Sequence, residues 1–217
     1  MRLLSPLEAR VLGVLVEKQH TVPDTYPMSL NALVGGCNQK TARQPVIEAT
    51  DAEVLTALDS LKGLSLVFEG SGSRVVKFEH NTARVLQVPG QAVALLAVLM
   101  LRGPQTSAEL RLNSERLHRF ADISSVEGFL DELAAKPVPM AVKLPRAAGE
   151  REARWAHLLC GEVTLPVGRV AAGDEGPGAS VGAGEVAALK AEQTRLAAEV
   201  ATLHELVHKL ARELGVE

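Results

Sequence analysis

The segment from Gly35 to Thr41 contains residue types that suggest phosphate chemistry. Its order is Gly-Gly-Cys-Asn-Gln-Lys-Thr, and the amides of a glycine-rich loop that ends in Lys-Thr can enclose a nucleotide phosphate. That chemistry needs glycine directly before Lys40, where Gln39 stands, and the preceding residues have helical rather than strand spacing. The segment therefore does not predict a nucleotide site.

The histidines and cysteines form no recognisable catalytic or metal-binding arrangement. His204 and His208 are one helical turn apart, but two ligands alone favour exposed surface histidines over a metal site. Cys37 and Cys160 do not form a C-x-x-C pair. We therefore expect no catalytic residues, no metal and no cofactor.

Binding chemistry is suggested instead by polar and basic residues in three places, a long loop, a strand pair and the segment after a short helix. We predict nucleic-acid or partner contacts at Asn38, Gln39, Lys40 and Arg43 in the loop, Arg74 and Lys77 on the strands, and Arg111, Arg116 and Arg119 after the helix. The alternative for the last group is an ordinary solvated helix face.

The elements that carry these residues occur twice. One copy runs from Ser5 to about His80 and the second from about Val88 to Cys160, and Leu61 aligns with Leu133 at an offset of 72 residues. Three helices followed by a two-stranded ribbon is the order of a winged helix-turn-helix. The sequence thus predicts a mainly α fold with small β wings (α+β), in two tandem winged-helix domains.

Local signals set the expected bounds. The predicted domains are residues 1–84 and 85–160. Ser5 and Thr50 begin capping boxes, Gly35-Gly36 should end the second helix, and Ser124 should cap the third helix of the second copy. Leu55 is expected on the inner face of the third helix. The wing strands are predicted at 64–69, 74–79, 138–144 and 154–160.

A different pattern occupies the C-terminal part of the chain. Residues 161–184 are glycine-rich and predict a flexible linker, and residues 185–217 predict a coiled-coil helix with a seven-residue repeat. β-branched residues at a and leucine at d favour a parallel two-stranded dimer. The predicted dimerisation residues are Val186, Leu189, Leu196, Val200, Leu203, Val207 and Leu210. The alternative is a helix that folds back onto its own domains.

The distribution of charged residues weakens the case for nucleic-acid binding. Residues 1–160 hold 18 lysines and arginines against 17 aspartates and glutamates, whereas residues 161–217 hold 5 against 9. The paired domains are therefore nearly neutral. Their third helices are acidic, with Asp51 and Asp59 in the first copy and Asp131 and Glu132 in the second, and acidic faces repel phosphates.

Three segments together resemble the YceH family of bacterial proteins. They are Ser5 to Gly13, Tyr26 to Leu33, and Cys37-Asn38-Gln39-Lys40-Thr41 with Arg43 and Pro45-Val46. The resemblance covers residues 3 to about 160, with Ala42 and Gln44 as departures from the usual loop. It implies two tandem winged-helix domains, often followed by a coiled coil, and no established activity.

We therefore expect a non-enzymatic, cytoplasmic homodimer that binds double-stranded DNA as a regulator. Contact would be made by wings and basic loops rather than by the acidic third helices. The alternative is a protein-interaction adaptor that uses its winged helices as docking surfaces, because fold alone does not fix function. No signal peptide or membrane span is apparent in the sequence.

Overall fold

The computed structural model describes residues 2–70, 75–146 and 152–163. Within them the chain forms helices and two small antiparallel sheets. This confirms the predicted α+β class. The helices are α1 (Pro6–Thr21), α2 (Leu30–Cys37), α3 (Asp51–Gly63), α4 (Thr82–Leu86), α5 (Gly90–Arg102), α6 (Ser107–Asn113) and α7 (Ile123–Ala134), with a 3₁₀ turn at Pro23–Thr25. The strands are β1 (Met28–Ser29), β2 (Val67–Gly70), β3 (Lys77–His80), β4 (Ala141–Lys143) and β5 (Trp155–His157).

Capping side chains begin most of the longer helices. Ser5, Thr50 and Thr106 each accept a hydrogen bond from the backbone N–H three residues on, and the glutamate at that position bonds back to the capping residue's N–H. Ser29 caps α2 in the simpler form. The cap predicted at Ser124 is wrong, because the N-cap of α7 is Asp122.

The second helix also differs from its prediction. The helix α2 continues through Gly35 and Gly36 to Cys37. A Cβ atom on Gly36 would lie 2.6 Å from Val14 Cγ1 of α1, closer than such atoms can approach. Glycine is therefore needed here for the packing of α2 on α1, and it does not end the helix.

The two repeats have matching strand arrangements. In the first, β1 precedes α2 and pairs with β3, giving a sheet of order β1-β3-β2. In the second, Gln105 precedes α6 and exchanges backbone hydrogen bonds of 3.0 and 2.7 Å with Trp155 of β5, which pairs with β4. Each repeat thus has a short extended segment before its second helix that joins the ribbon formed after its third.

Apolar residues of both repeats form one continuous core. All residues of α5 from Ala92 to Leu101 are buried, and α5 packs on α1. At their crossing, a Cβ atom on Gly13 would lie 3.0 Å from Leu101 Cγ, so a small residue favours this close approach. The boundary predicted at residue 84 falls inside α4, and the predicted domain bounds remain predictions.

Two further predictions concern residues outside the described ranges. Arg74 and the linker, coiled-coil and dimerisation residues beyond 163 lie there, so these predictions stand as made. None of the helices in the described ranges combines the length and apolarity needed to cross a bilayer.

Candidate functional site

The long loop after α2 is held by a buried arginine. The side chain of Arg43 is 0% exposed and pairs with Glu17 of α1 at two points, Nη1–Oε1 of 3.1 Å and Nη2–Oε2 of 2.6 Å. Its remaining donors bond to the carbonyls of Gly36 and Ala42 and to Gln39 Oε1. A guanidinium has five N–H donors, and all five are used. The contact role predicted for Arg43 is therefore corrected, since the side chain stabilises the loop instead.

Two neighbouring loop residues also bond inward. Asn38 donates from Nδ2 to the Ala49 carbonyl and accepts from the Ala49 N–H, both at 2.8 Å, which closes the loop at its base. Gln39 Oε1 accepts from Arg43 and from Lys18 Nζ. Of the four loop residues predicted as contacts, Lys40 alone is exposed.

Arg10 of α1 is a second buried cation at this loop, and sequence reasoning missed its role. Its Nη1 donates to the Cys37 carbonyl at 3.1 Å and its Nη2 to the Pro45 carbonyl at 2.6 Å. Burial and the nearby Arg43 lower the pKa of Arg10. The Gln44 N–H bonds to the Leu101 carbonyl at 2.8 Å, so the loop joins α1 to the end of α5.

The ribbon β2–β3 contains Lys77, one of the predicted contact residues. Lys77 begins β3, is partly exposed, and lies opposite Gly70 in the sheet. Its predicted role is therefore compatible with its position.

Arg111 in the last turn of α6, with Arg116 and Arg119 after that helix, forms an exposed group that we call the arginine turn (residues 111–121). Arg111 donates to the Ala121 carbonyl at 3.1 Å, and Arg119 forms an ion pair with Glu115 at 3.3 Å. Arg116 is exposed and has no hydrogen bond or ion pair to another described residue. The turn leads directly into the N-terminus of α7. Of its three guanidinium groups, that of Arg111 bonds to the residue directly before the N-cap of α7.

The third helices differ in where their exposed carboxylates lie. On α3, Asp51, Leu55 and Asp59 are exposed, and the neighbouring cation Lys62 is held by Asp59 at 2.8 Å and by Glu69 at 3.0 Å. Leu55 is 42% exposed, so its predicted inner position is wrong. The outer surface of α3 therefore carries carboxylates and an apolar side chain.

The start of α7 is less acidic. Its first turn exposes Ile123 and Ser124, and the capping carboxylate of Asp122 is engaged by the Ser125 N–H. Asp131 and Glu132 lie further along the helix. A phosphate near the first turn of α7 would meet helix N–H groups and Arg111, which bonds to the Ala121 carbonyl, and also the exposed carboxylate of Asp122.

No catalytic arrangement appears among the described residues. Within those ranges, no three His, Cys, Asp or Glu side chains are grouped so as to hold a metal ion. Burial raises the pKa of the Cys37 thiol to about 12 and that of Cys160 to about 11, so both are protonated near neutral pH.

Comparison with known proteins defines the family. Residues 4–150 match the family model described as "Protein of unknown function, DUF480", and the chain belongs to this family. It is 68% identical to a UPF0502 protein of Burkholderia multivorans over 217 residues, which is 100% of this chain and 92% of that protein. UPF0502 proteins of Burkholderia orbicola and Burkholderia ambifaria are each 66% identical over 218 residues, with the same coverage. These findings agree with the YceH resemblance.

Proposed function

We propose that this protein is a non-enzymatic tandem winged-helix regulator that binds double-stranded DNA through its second repeat. The observation that carries the proposal is the arginine turn, where Arg111, Arg116 and Arg119 are exposed in the segment from the last turn of α6 to the start of α7. In a helix-turn-helix, the third helix enters the major groove by its N-terminal residues, while preceding segments contact the backbone. Arginines at this position would contact phosphates on both sides of that groove.

The matching element order of the two repeats supports the winged-helix assignment. Each has three helices, a two-stranded ribbon and a short extended segment that joins the ribbon. The ribbons β2–β3 and β4–β5 take the place of the wings. Lys77 and the predicted contact Arg74 would contact the DNA backbone only if the first repeat bound DNA as well.

The difference between α3 and α7 supports assigning DNA contact to the second repeat. Carboxylates on the outer face of α3 would lie close to phosphates if that helix entered a groove, and this repulsion is costly. Of the first-repeat cations near this helix, Arg43 of the loop is buried and Lys62 of α3 is paired, which leaves Lys40 as the exposed cation of the loop. The first turn of α7 presents Ile123 and Ser124 instead.

A second candidate function for the first repeat is protein docking. The exposed Leu55, between Asp51 and Asp59, gives α3 an apolar and acidic surface. An adaptor surface of this kind would suit a partner with an apolar patch ringed by basic residues.

Titration of a mixed pool of short duplexes with the full-length protein at 50 to 200 mM salt tests DNA binding. Three phosphate contacts would give a slope of log affinity against log salt of about −3, and hence a loss of about 40-fold over this range. Absence of binding at 50 mM would contradict the proposal.

A double substitution, Asp51→Asn with Asp59→Asn, distinguishes the two repeats. It removes two negative charges from α3 without changing side-chain size. We expect less than about a threefold change in affinity, since α3 faces away from DNA. A rise of tenfold or more would place α3, rather than α7, against the phosphates.

Dimerisation through the C-terminal helix belongs to the same proposal. Two copies joined by residues 185–217 would present two second repeats to two half-sites. Truncation after Gly184 should convert a dimer into a monomer in sedimentation measurements. A full-length protein that is monomeric at micromolar concentration would contradict the coiled-coil assignment, and the alternative of a helix that folds back would then hold.

A further inference from the structure

A cavity of about 520 Å³ lies between the two repeats, and we call it the inter-repeat cavity. One side is formed by the start of α1 and by the loop around Pro45 and Ile47. The other is formed by the end of α5, by β5 and by the residues that follow it. Sites for small molecules usually measure about 300 to 1,000 Å³, so the volume suits a small organic ligand.

Most of the cavity wall is apolar. Leu7 and Ile47 from the first repeat face Leu99, Met100 and Ala156 from the second across the space. A ligand bound there would remove its own apolar surface and that of the wall from contact with water. This favours a ligand with an aliphatic or aromatic hydrocarbon part. The wall therefore selects for an apolar molecule.

Arg10 supplies a buried positive charge at this wall. It is 3% exposed and lines the cavity. Its two Nη atoms bond to carbonyls, its Nε has no partner, and no carboxylate of the described residues lies within ion-pairing distance of it. A buried charge without a counter-ion is costly. An anion beside Arg10 would offset that cost.

The neighbouring charges strengthen this preference. Arg43 lies close enough to lower the pKa of Arg10, and the carboxylate of Glu17 is already paired with Arg43. Among the residues that line the cavity, Glu48 and Glu162 are exposed at its rim, where solvent screens them. The carboxylate of Glu53 bonds to the Thr50 N–H and hydroxyl, each at 2.8 Å. Arg10 is therefore the buried charge of this wall.

A neutral polar group lies on the second-repeat side. His157 lines the cavity, and its Nδ1 is buried without a partner among the described residues. Burial lowers the pKa of His157 to about 4, so the ring is neutral near pH 7. The neutral ring therefore adds no second charge to this wall, and Arg10 remains its buried cation.

From this arrangement we propose that the inter-repeat cavity binds a small apolar monocarboxylic acid. Its carboxylate lies beside Arg10 and its hydrocarbon body lies against Leu7, Ile47 and Met100. Such a ligand contacts both repeats at once. The proposal does not depend on DNA binding.

Calorimetric titration of the full-length protein with sodium octanoate and with octan-1-ol tests the ligand class. The two probes share a chain length and differ in charge. We expect octanoate to bind at least tenfold more tightly than the alcohol. Arg10→Gln should remove this preference while leaving the weaker alcohol binding within about threefold. Equal binding of both probes to the unmodified protein, or no binding of octanoate, would overturn the proposal.

A matched pair of substitutions tests the location. Ile47→Trp fills the cavity from its loop side, whereas Val46→Trp adds the same bulk at a neighbouring residue that is 53% exposed and does not line the cavity. We expect Ile47→Trp to weaken octanoate binding at least tenfold and Val46→Trp to leave it unchanged. Equal affinities in the two variants would overturn the site. This comparison and that of the two probes both remain decisive if Arg10→Gln does not fold.

Discussion

Arg43 and Glu17 form a two-point ion pair between the loop after α2 and the middle of α1, with nitrogen–oxygen distances of 3.1 and 2.6 Å. The two residues are separated by 26 positions in the sequence. Burial of Glu17 alone would raise its pKa, but the hydrogen bonds and charge of Arg43 outweigh this and leave the pKa below its ordinary value. Both groups are thus charged, and the pair fixes the most distinctive segment of the sequence against the core.

Breaking this pair should destabilise the fold. Removal of one partner from a buried ion pair costs about 3–5 kcal/mol, because the other charge stays buried. We predict that Arg43→Met lowers the free energy of unfolding by an amount in this range, measured by urea denaturation. Lys40→Met is the control, since Lys40 is an exposed cation of the same loop and should change stability by less than about 0.5 kcal/mol. Equal effects in the two variants would contradict the structural role of Arg43.

Shortening a leucine side chain to alanine should affect stability differently on the two faces of α3. Leu58 is 0% exposed, whereas Leu55 is 42% exposed on the outer face. Leu58→Ala should lower the free energy of unfolding by about 2–5 kcal/mol, and Leu55→Ala by less than about 1 kcal/mol. Denaturant melts of both variants check this. A larger effect at Leu55 would mean that the helix is rotated from the position described.

Stability should fall between about pH 6.5 and pH 4. Burial and the nearby His20 lower the pKa of His80 from 6.5 to about 4, and its neutral ring accepts from the Thr82 N–H while bonding to Gln19 Oε1 at 2.7 Å. The unfolded chain therefore binds more protons than the folded chain in this window, and the folded state loses stability as pH falls. His157 acts in the same direction.

The substitution His80→Gln isolates one part of this dependence. It keeps a polar side chain but removes a group that titrates in the window. The urea midpoint of the variant should fall less steeply from pH 6.5 to pH 4 than that of the unmodified protein, and the remaining slope should include the effect of His157. Identical slopes would show that His80 is not held neutral by the fold.

Local signals were enough to predict most of the element order. Apolar spacing and the caps at Ser5 and Thr50 depend on neighbours within one helical turn, so they can be read directly from the sequence. Short elements were missed. The strand β1 has two residues and the helix α4 has five, so neither has a periodic pattern of its own.

Long-range packing explains the errors. Gly36 looks like a helix stop, but its lack of a side chain serves the contact with Val14 of α1. Arg43 looks like a surface cation because nothing near it in the sequence reveals Glu17. Nothing near Arg10 in the sequence indicates its role, and only the fold places it beside the loop carbonyls. The exposure of Arg116 and Arg119 could be predicted because exposed residues need no distant partner, and their contact role stays a prediction.

Charge reversal in the arginine turn is the most direct measurement of the central claim that the second repeat binds DNA. Arg116→Glu should weaken binding of a mixed duplex pool at 50 mM salt by about tenfold or more and reduce the salt slope by about 1. Arg84→Glu makes the same charge change at an exposed residue of α4 and should alter affinity by less than about threefold. Equal weakening by both variants would indicate only a general charge effect, and an unchanged affinity in Arg116→Glu would contradict DNA binding by this turn.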